Sequence, residues 1–225
     1  MPLTRRRFLE AGALAAAAAA VPRPLLAQLG RHPEPPPPIE DPRLQALAAR
    51  GLDAARTAGA SYADVRLTHT RVRRFFPAFT HDTETLEVGV RALVDGYWGF
   101  ASGPVWSPDE MARLGREAAH QAKVNALGKP RMTELAPVAA VSGHWDMPVA
   151  IDPFAISPLE VQDFLSSLGI YCRRIPNLFV QGNYAIATTQ EKAFASTVGS
   201  YCTQRCWRTE GVFGVILTLP ERHDK

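Results

Sequence analysis

Cysteine is scarce in this sequence, three in 225 residues, and no CxxC pair occurs. Cys202 and Cys206 stand in what reads as a strand, where a spacing of four separates Cα atoms by roughly 13 Å. A disulfide needs them within about 7 Å. The expectation is therefore buried thiols, with Cys172 left to meet either of the others in space. The histidines His32, His69, His81, His120, His144 and His223 form no HExxH or HxxxH, so no helix presents two imidazoles on one face. His81 and Asp82 are a local acid/base candidate, but lone histidines near strands are more often hydrogen-bonded structural residues. Neither GxGxxG nor GxxxxGK[ST] is present, which removes the phosphate-cradling loops. GASYA, residues 59–63, misses the last glycine of GxSxG and leads from helix to strand, the reverse of a nucleophile elbow. Long apolar runs are lacking too: the alanine-rich stretch at 11–21 is too short and too weakly apolar to span roughly 30 Å of hydrocarbon, so no stable membrane span is expected.

What is present begins with that same stretch. Thr4, Arg5, Arg6, Arg7, Phe8 and Leu9 precede AGALAAAAAAV, and Pro22 with the small-residue exit LLA precedes Gln28. A charged start, an apolar middle and a cleavage site make a secretory signal over residues 1–27. The string TRRRFL is similar to twin-arginine export signals, with Arg5, Arg6, Phe8 and Leu9 on the motif and Glu10 where lysine is usual. The resemblance implies an exported, periplasmic protein. Arg5, Arg6, Arg7 and Arg23 outnumber Glu10 by three, which is the whole net charge of +3. The remainder is near neutral and carries no electrostatic footprint for nucleic acid. Residues 28–40, rich in proline, read as an extended linker.

From residue 41 onward the pattern is globular, at 46% hydrophobic residues overall. Asp41 as N-cap and Pro42 open a helix with Leu44, Leu47, Ala48, Gly51 and Ala55 inward, stopped by Gly59. SYADVRL follows as a strand. Pro77 argues against a central strand in VRRFFPAFTHDTE, while Phe75, Phe76 and Phe79 argue for an apolar contact. Whether Arg73, Arg74 and this cluster touch ligand or only core stays open. In EVGVRALVDGYWGFASG, residues 87–103, Asp95 and Gly96 favour a type I′ turn. Folding there pairs Val94 with Tyr97, Leu93 with Trp98, Arg91 with Phe100 and Val90 with Ala101. Ser107 and Glu110 form a capping box for a helix to about Leu127, stopped by Gly128, with Met111, Leu114, Ala118 and Ala122 inward. Acid pairs such as Asp109 with Glu110 sit at helix starts, where carboxylates meet the positive dipole end. After an irregular stretch, Ser157 and Glu160 read as a second box, before a helix burying Val161, Phe164 or Leu165, Leu168 and Cys172. Beyond Ile175 a meander of three or more strands is expected. The fold class is α+β: an antiparallel sheet with hairpins and three helices packed on it.

The order of these pieces carries a resemblance. AGASYADVRL, LEVGVRALVDGYWGFASG, SPDEMARLGREAAHQAK, MPVAIDPFAISPLE and QEKAFASTVGSYCTQ, in that succession, resemble the amino-terminal domain of the TldD/PmbA family, once called modulators of DNA gyrase. The match runs from about Asp41 to Leu219, inside an expected domain at 41–225. The resemblance implies a metallopeptidase that processes peptides, often as paired subunits. It also implies a zinc site on an HExxxH motif in a carboxy-terminal half, where zinc polarises the scissile carbonyl beside a glutamate base. HExxxH does not occur in these residues, so no catalytic, cofactor-binding or metal residue carries over. The expected partners are that carboxy-terminal half or a paired TldD/PmbA-type subunit, and a peptide substrate. Two readings follow: the amino-terminal part of an exported metallopeptidase, whether fragment, truncated product or split half, or a stand-alone noncatalytic binding module. If the last strands normally pair with further chain, residues 212–217 present an apolar edge that favours association.

Overall fold

The computed structural model of this chain describes residues 41–127 and 132–218. The expected signal, the linker and the helix stop at Gly128 lie outside them. Among the described residues nine elements follow in order: α1 (Pro42–Thr57), β1 (Tyr62–Phe75), β2 (Thr80–Val94), β3 (Tyr97–Gly103), α2 (Pro108–Ala126), β4 (Ser142–Asp146), α3 (Pro158–Cys172), β5 (Leu178–Ser196) and β6 (Tyr201–Leu217). The strands form one sheet in the order β3-β2-β1-β5-β6-β4, an α+β architecture as expected.

Local chemistry explains most of the elements. The Asp41 carboxylate accepts from the Arg43 N–H at 2.9 Å, and Pro42 occupies the first turn of α1, where its missing N–H costs nothing. Leu44, Ala48, Gly51 and Ala55 are buried together with Leu52 and Ala54. Asp95 at φ 51° and Gly96 at φ 80° form the primed turn between β2 and β3, and all four expected cross-strand pairs are observed. Ser107 Oγ accepts from the Glu110 N–H at 3.2 Å. The reciprocal half of that box does not form, because the Glu110 carboxylate takes two N–H groups of Arg113 at 2.7 and 2.8 Å instead. Ser157 makes no side-chain capping bond at all; α3 is held by packing, with Leu165 and Cys172 buried and Val161, Phe164 and Leu168 half-buried.

Three expectations need correction. Pro77 does not keep its neighbourhood out of the sheet centre: β1 runs to Phe75 and pairs on both sides, with β2 and β5. The proline falls in the turn between β1 and β2, closed by Phe76 N–H donating to the Phe79 carbonyl at 2.9 Å, where no ladder bond is owed. Among the described residues the carboxy-terminal strands number two, not three or more. The polar stretch TTQEK is uninterrupted strand in β5, its residues alternating between faces, and the single turn lies at residues 197–200 with Gly199 at φ 93°. Finally, the sheet is mixed. β4 pairs parallel to β6, Ser142 opposite Tyr201 through Asp146 opposite Arg205, because the chain passes through α3 before returning.

All three helices cover one face. On β1 the alternation sends Ala63, Val65 and Leu67 under α1 and α2 with Val88 and Val90 of β2 and Ala193 and Ala195 of β5. Farther along the same face Phe75 and Ala187 meet Leu165 of α3 in a second, smaller core. The opposite face carries no helix among the described residues. The two-layer contact is backbone-close at glycines. A Cβ on Gly99 of β3 would stand 2.0 Å from the Ala118 carbonyl oxygen, and one on Gly115 of α2 would stand 2.3 Å from the Gly51 carbonyl oxygen. Gly99→Ala is therefore expected to cost about 3 kcal/mol by forcing α2 off the sheet. Gly211→Ala, where nothing lies within 4 Å, should stay within about 0.5 kcal/mol of the parent. Urea melts of the two variants check this; equal midpoints would show that the helix does not sit this close.

Candidate functional site

Three features of the sheet are left over once the cores are accounted for. The first is a charged row on the helix-covered face, between the α1/α2 layer and α3. Register aligns His69, Glu191, Arg205 and Asp146 across four strands. His69 Nε2 contacts Glu84 on β2 and its Nδ1 lies 3.4 Å from Glu191 Oε2; only the imidazolium donates both at once. Arg205 Nε is 3.1 Å from Glu191 Oε1. His144 Nδ1 is 2.6 Å from Thr203 Oγ1, and its Nε2 is 3.2 Å from Asp146 Oδ1. That last contact has ion-pair distance without hydrogen-bond alignment.

Arg73 and Asp82 belong to the neighbouring stretch of this face. Arg73 donates to Asp82 from Nε at 2.9 Å and from Nη2 at 2.8 Å, and its Nη1 reaches the Phe154 carbonyl at 3.4 Å. Arg71 and Arg73 both lie over the Phe154 ring, at 4.8 and 5.4 Å. These contacts tie the loop before α3 to β1. Arg74 reaches Thr83 Oγ1 on the other face at 3.4 Å. The phenylalanine cluster is divided by strand alternation: Phe75 is buried under α3, whereas Phe76 stacks on Phe79 at 4.6 Å. The Arg73 guanidinium, by hydrogen bond first, holds the Asp82 carboxyl below the usual range. His81 and Asp82 are thus no acid/base pair, since adjacent strand residues point to opposite faces.

The second feature is the bare face. Asp64, fully buried there, accepts from Arg91 Nε at 3.0 Å and Nη2 at 2.6 Å, and Arg66 Nε stands 3.5 Å away. Burial and then the Asp64 charge push the Tyr62 phenol up. Beside this ion cluster lies a trough of about 610 Å³ over β1, β5, β6 and β4. The strand period gives it the side chains of Arg66, Thr68, Phe194, Lys192, Gln204 and Trp145. Cys202 lines it as well. Cys172 alone among the thiols is buried; Cys202 and Cys206 are half-buried, and all three are free, because β6 is covered on its other face only. Nothing in the sequence pattern singled out this trough, since its members come from four strands and meet only through register.

The third feature is a ribbon. β5 leaves β1 at Ala185, opposite Phe75, so residues 178–184 pair with β6 alone and extend roughly 23 Å at 3.3 Å per residue. β4 covers β6 only as far as Arg205. The expected open edge at 212–217 is thus present on the outer side of β6, while its inner side is paired. Phe179, Val212, Phe213, Val215, Ile216 and Leu217 are all exposed on this ribbon.

Together these features define a two-layer α+β domain with one bare sheet face and a protruding apolar ribbon. Residues 79–122 match the family model described as PmbA/TldA metallopeptidase domain 1. Solved structures share the fold: TldE from Thermococcus kodakarensis (TM-score 0.53, 11% identity, 77% of this chain and 42% of that one) and a candidate modulator of DNA gyrase from Thermotoga maritima MSB8 (TM-score 0.51, 14% identity, 76% and 42%). Another candidate modulator of DNA gyrase, from Bacteroides thetaiotaomicron VPI-5482, does so as well (TM-score 0.51, 12% identity, 73% and 38%). No curated protein matches the sequence. Residues 79–122 are thus similar to the first domain of PmbA/TldA metallopeptidases, and the described domain shares its fold with these solved structures. The chain spans about four-tenths of the length of these solved structures.

The Arg73–Asp82 pair gives a pH-dependent expectation. Asp82 has a lowered folded-state pKa, so its contribution is present above the unfolded value near about 3.9 and disappears as pH falls through the folded one. Asp82 is 55% exposed, which limits the pair to less than about 1 kcal/mol. Arg73→Gln should lower stability by that amount at pH 7, converge with the parent below pH 4, and raise the Asp82 titration midpoint by NMR. An unchanged midpoint would overturn the assignment.

Proposed function

We propose that this chain is the amino-terminal domain of an exported TldD/PmbA-like metallopeptidase acting in peptide processing. In this reading it contributes fold, substrate cleft or subunit pairing, and zinc is held by residues of a carboxy-terminal half or of a paired subunit. The observation that carries the reading is the family match at residues 79–122 on a domain whose bare sheet face and apolar ribbon are surfaces suited to a partner. The ribbon exposes large apolar side chains on strands with open edges, which isolated domains ordinarily cover or charge. Export is supported by Arg5, Arg6, Phe8 and Leu9 in TRRRFL.

Metal content and peptidase activity, measured on the chain alone and with a co-expressed TldD/PmbA-type chain carrying HExxxH, test the proposal. Zinc and activity are expected only in the combination. Phe213→Lys with Ile216→Lys should weaken co-purification at least tenfold while leaving the melting temperature of the single chain within a few degrees. Absence of metal and activity in every combination would favour the stand-alone binding module, and stoichiometric zinc on this chain alone would overturn the assignment of the zinc ligands to another part. Export is checked separately: Arg5→Lys with Arg6→Lys should retain a reporter fusion in the cytoplasm, and continued export would remove the twin-arginine reading.

A further inference from the structure

We propose that the trough on the bare sheet face binds the carboxylate end of a short peptide whose last side chain is apolar. Its volume, about 610 Å³, falls in the range of roughly 300–1,000 Å³ typical of small-molecule sites and is far larger than an ion requires. Two cations border it. Among the described residues Lys192 has no ion-pair partner. Arg66 faces Asp64, but that carboxylate already takes two N–H groups from Arg91, and the Arg66 side chain is 57% exposed. Glu87 is the other carboxylate of this face nearby. It lies in the Thr68–Lys192 row, two strands from Lys192, roughly 10 Å away.

The apolar half of the trough complements this charge. Arg66 lies over the Phe194 ring at 5.9 Å, and its guanidinium is a planar fork of the kind that suits a carboxylate. Trp145 is 50% exposed at the far wall. On β4, two residues from Trp145, Gly143 lies opposite Cys202 and leaves open space beside that ring, since a Cβ there would meet nothing within 4 Å. Cations beside Phe194 at one end and open space beside Trp145 at the other match a ligand with a terminal anion and an apolar side chain one residue long. The inference is independent of the metallopeptidase reading, because binding is read on this chain without metal or turnover.

Calorimetric titration of the full chain with N-acetyl-Ala-Phe, its C-terminal amide and 3-phenylpropionate tests it. The free acid is expected to bind, the amide at least tenfold more weakly, and 3-phenylpropionate more weakly than the dipeptide. Arg66→Gln and Lys192→Gln should each weaken the acid several-fold without changing the amide. Gly143→Leu should fill that open space and abolish binding with an unchanged melting temperature, and the acid should slow alkylation of Cys202 in the parent. Equal affinity for acid and amide, wild-type affinity in Gly143→Leu, or no binding of the acid at millimolar concentration would each overturn the proposal. Tighter binding of 3-phenylpropionate than of the dipeptide would overturn the peptide as the ligand.

Discussion

The structure depends on the two-residue period of β1. This strand pairs with β2 on one side and β5 on the other over nearly its whole length, so its alternation is imposed on the sheet. Ala63, Val65 and Leu67 set one face as the seat for α1 and α2. Continued in step, the same parity places His69, Arg71 and Arg73 on that face, beyond the reach of those helices, and Phe75 under α3. A one-residue slip would carry Asp64 into the aliphatic core and Val65 into the ion cluster. The cost of burying a carboxylate among apolar groups makes that slip prohibitive.

The glycines make the seat close. Gly99 and Gly115 allow backbone atoms of α2 to approach β3 and α1 at distances no side chain tolerates. The helices therefore lie flat and small residues suffice beneath them: Ala118, Ala119 and Ala122 are fully buried. The consequence for function is spatial. With α1 and α2 drawn to one end and α3 to the other, the charged row remains between them, and the opposite face carries no helix among the described residues.

Most elements were legible in the sequence because they rest on local chemistry. The Asp41 cap, the Asp95–Gly96 turn, the Ser107 cap and the inward stripe of α2 depend on residues a few positions apart. The errors share a cause. Pro77 signals a break, but only the path of the chain shows that the break is a turn between two long strands. TTQEK is polar because Glu191 joins the charged row on one face, while on the other Gln190 donates to Thr70 and Lys192 reaches solvent. The Ser157 box lacks its bond because packing against Phe75 and Ala187, residues distant in sequence, holds α3 in place.

The sequence by itself determined the helices, caps and first hairpin, because each is encoded within a span the chain samples locally, and the order of five motifs carried the resemblance to the TldD/PmbA amino-terminal domain. Tertiary structure alone decided which polar residues meet. Asp64 with Arg91, His69 with Glu84 and Glu191, and Arg66 with Lys192 and Trp145 lie 15 to more than 100 residues apart, each pair on different strands. They share a site only because strand register sets adjacent strands about 5 Å apart and places the residues of each set on one face. Register is a property of the assembled sheet, and no single strand carries it.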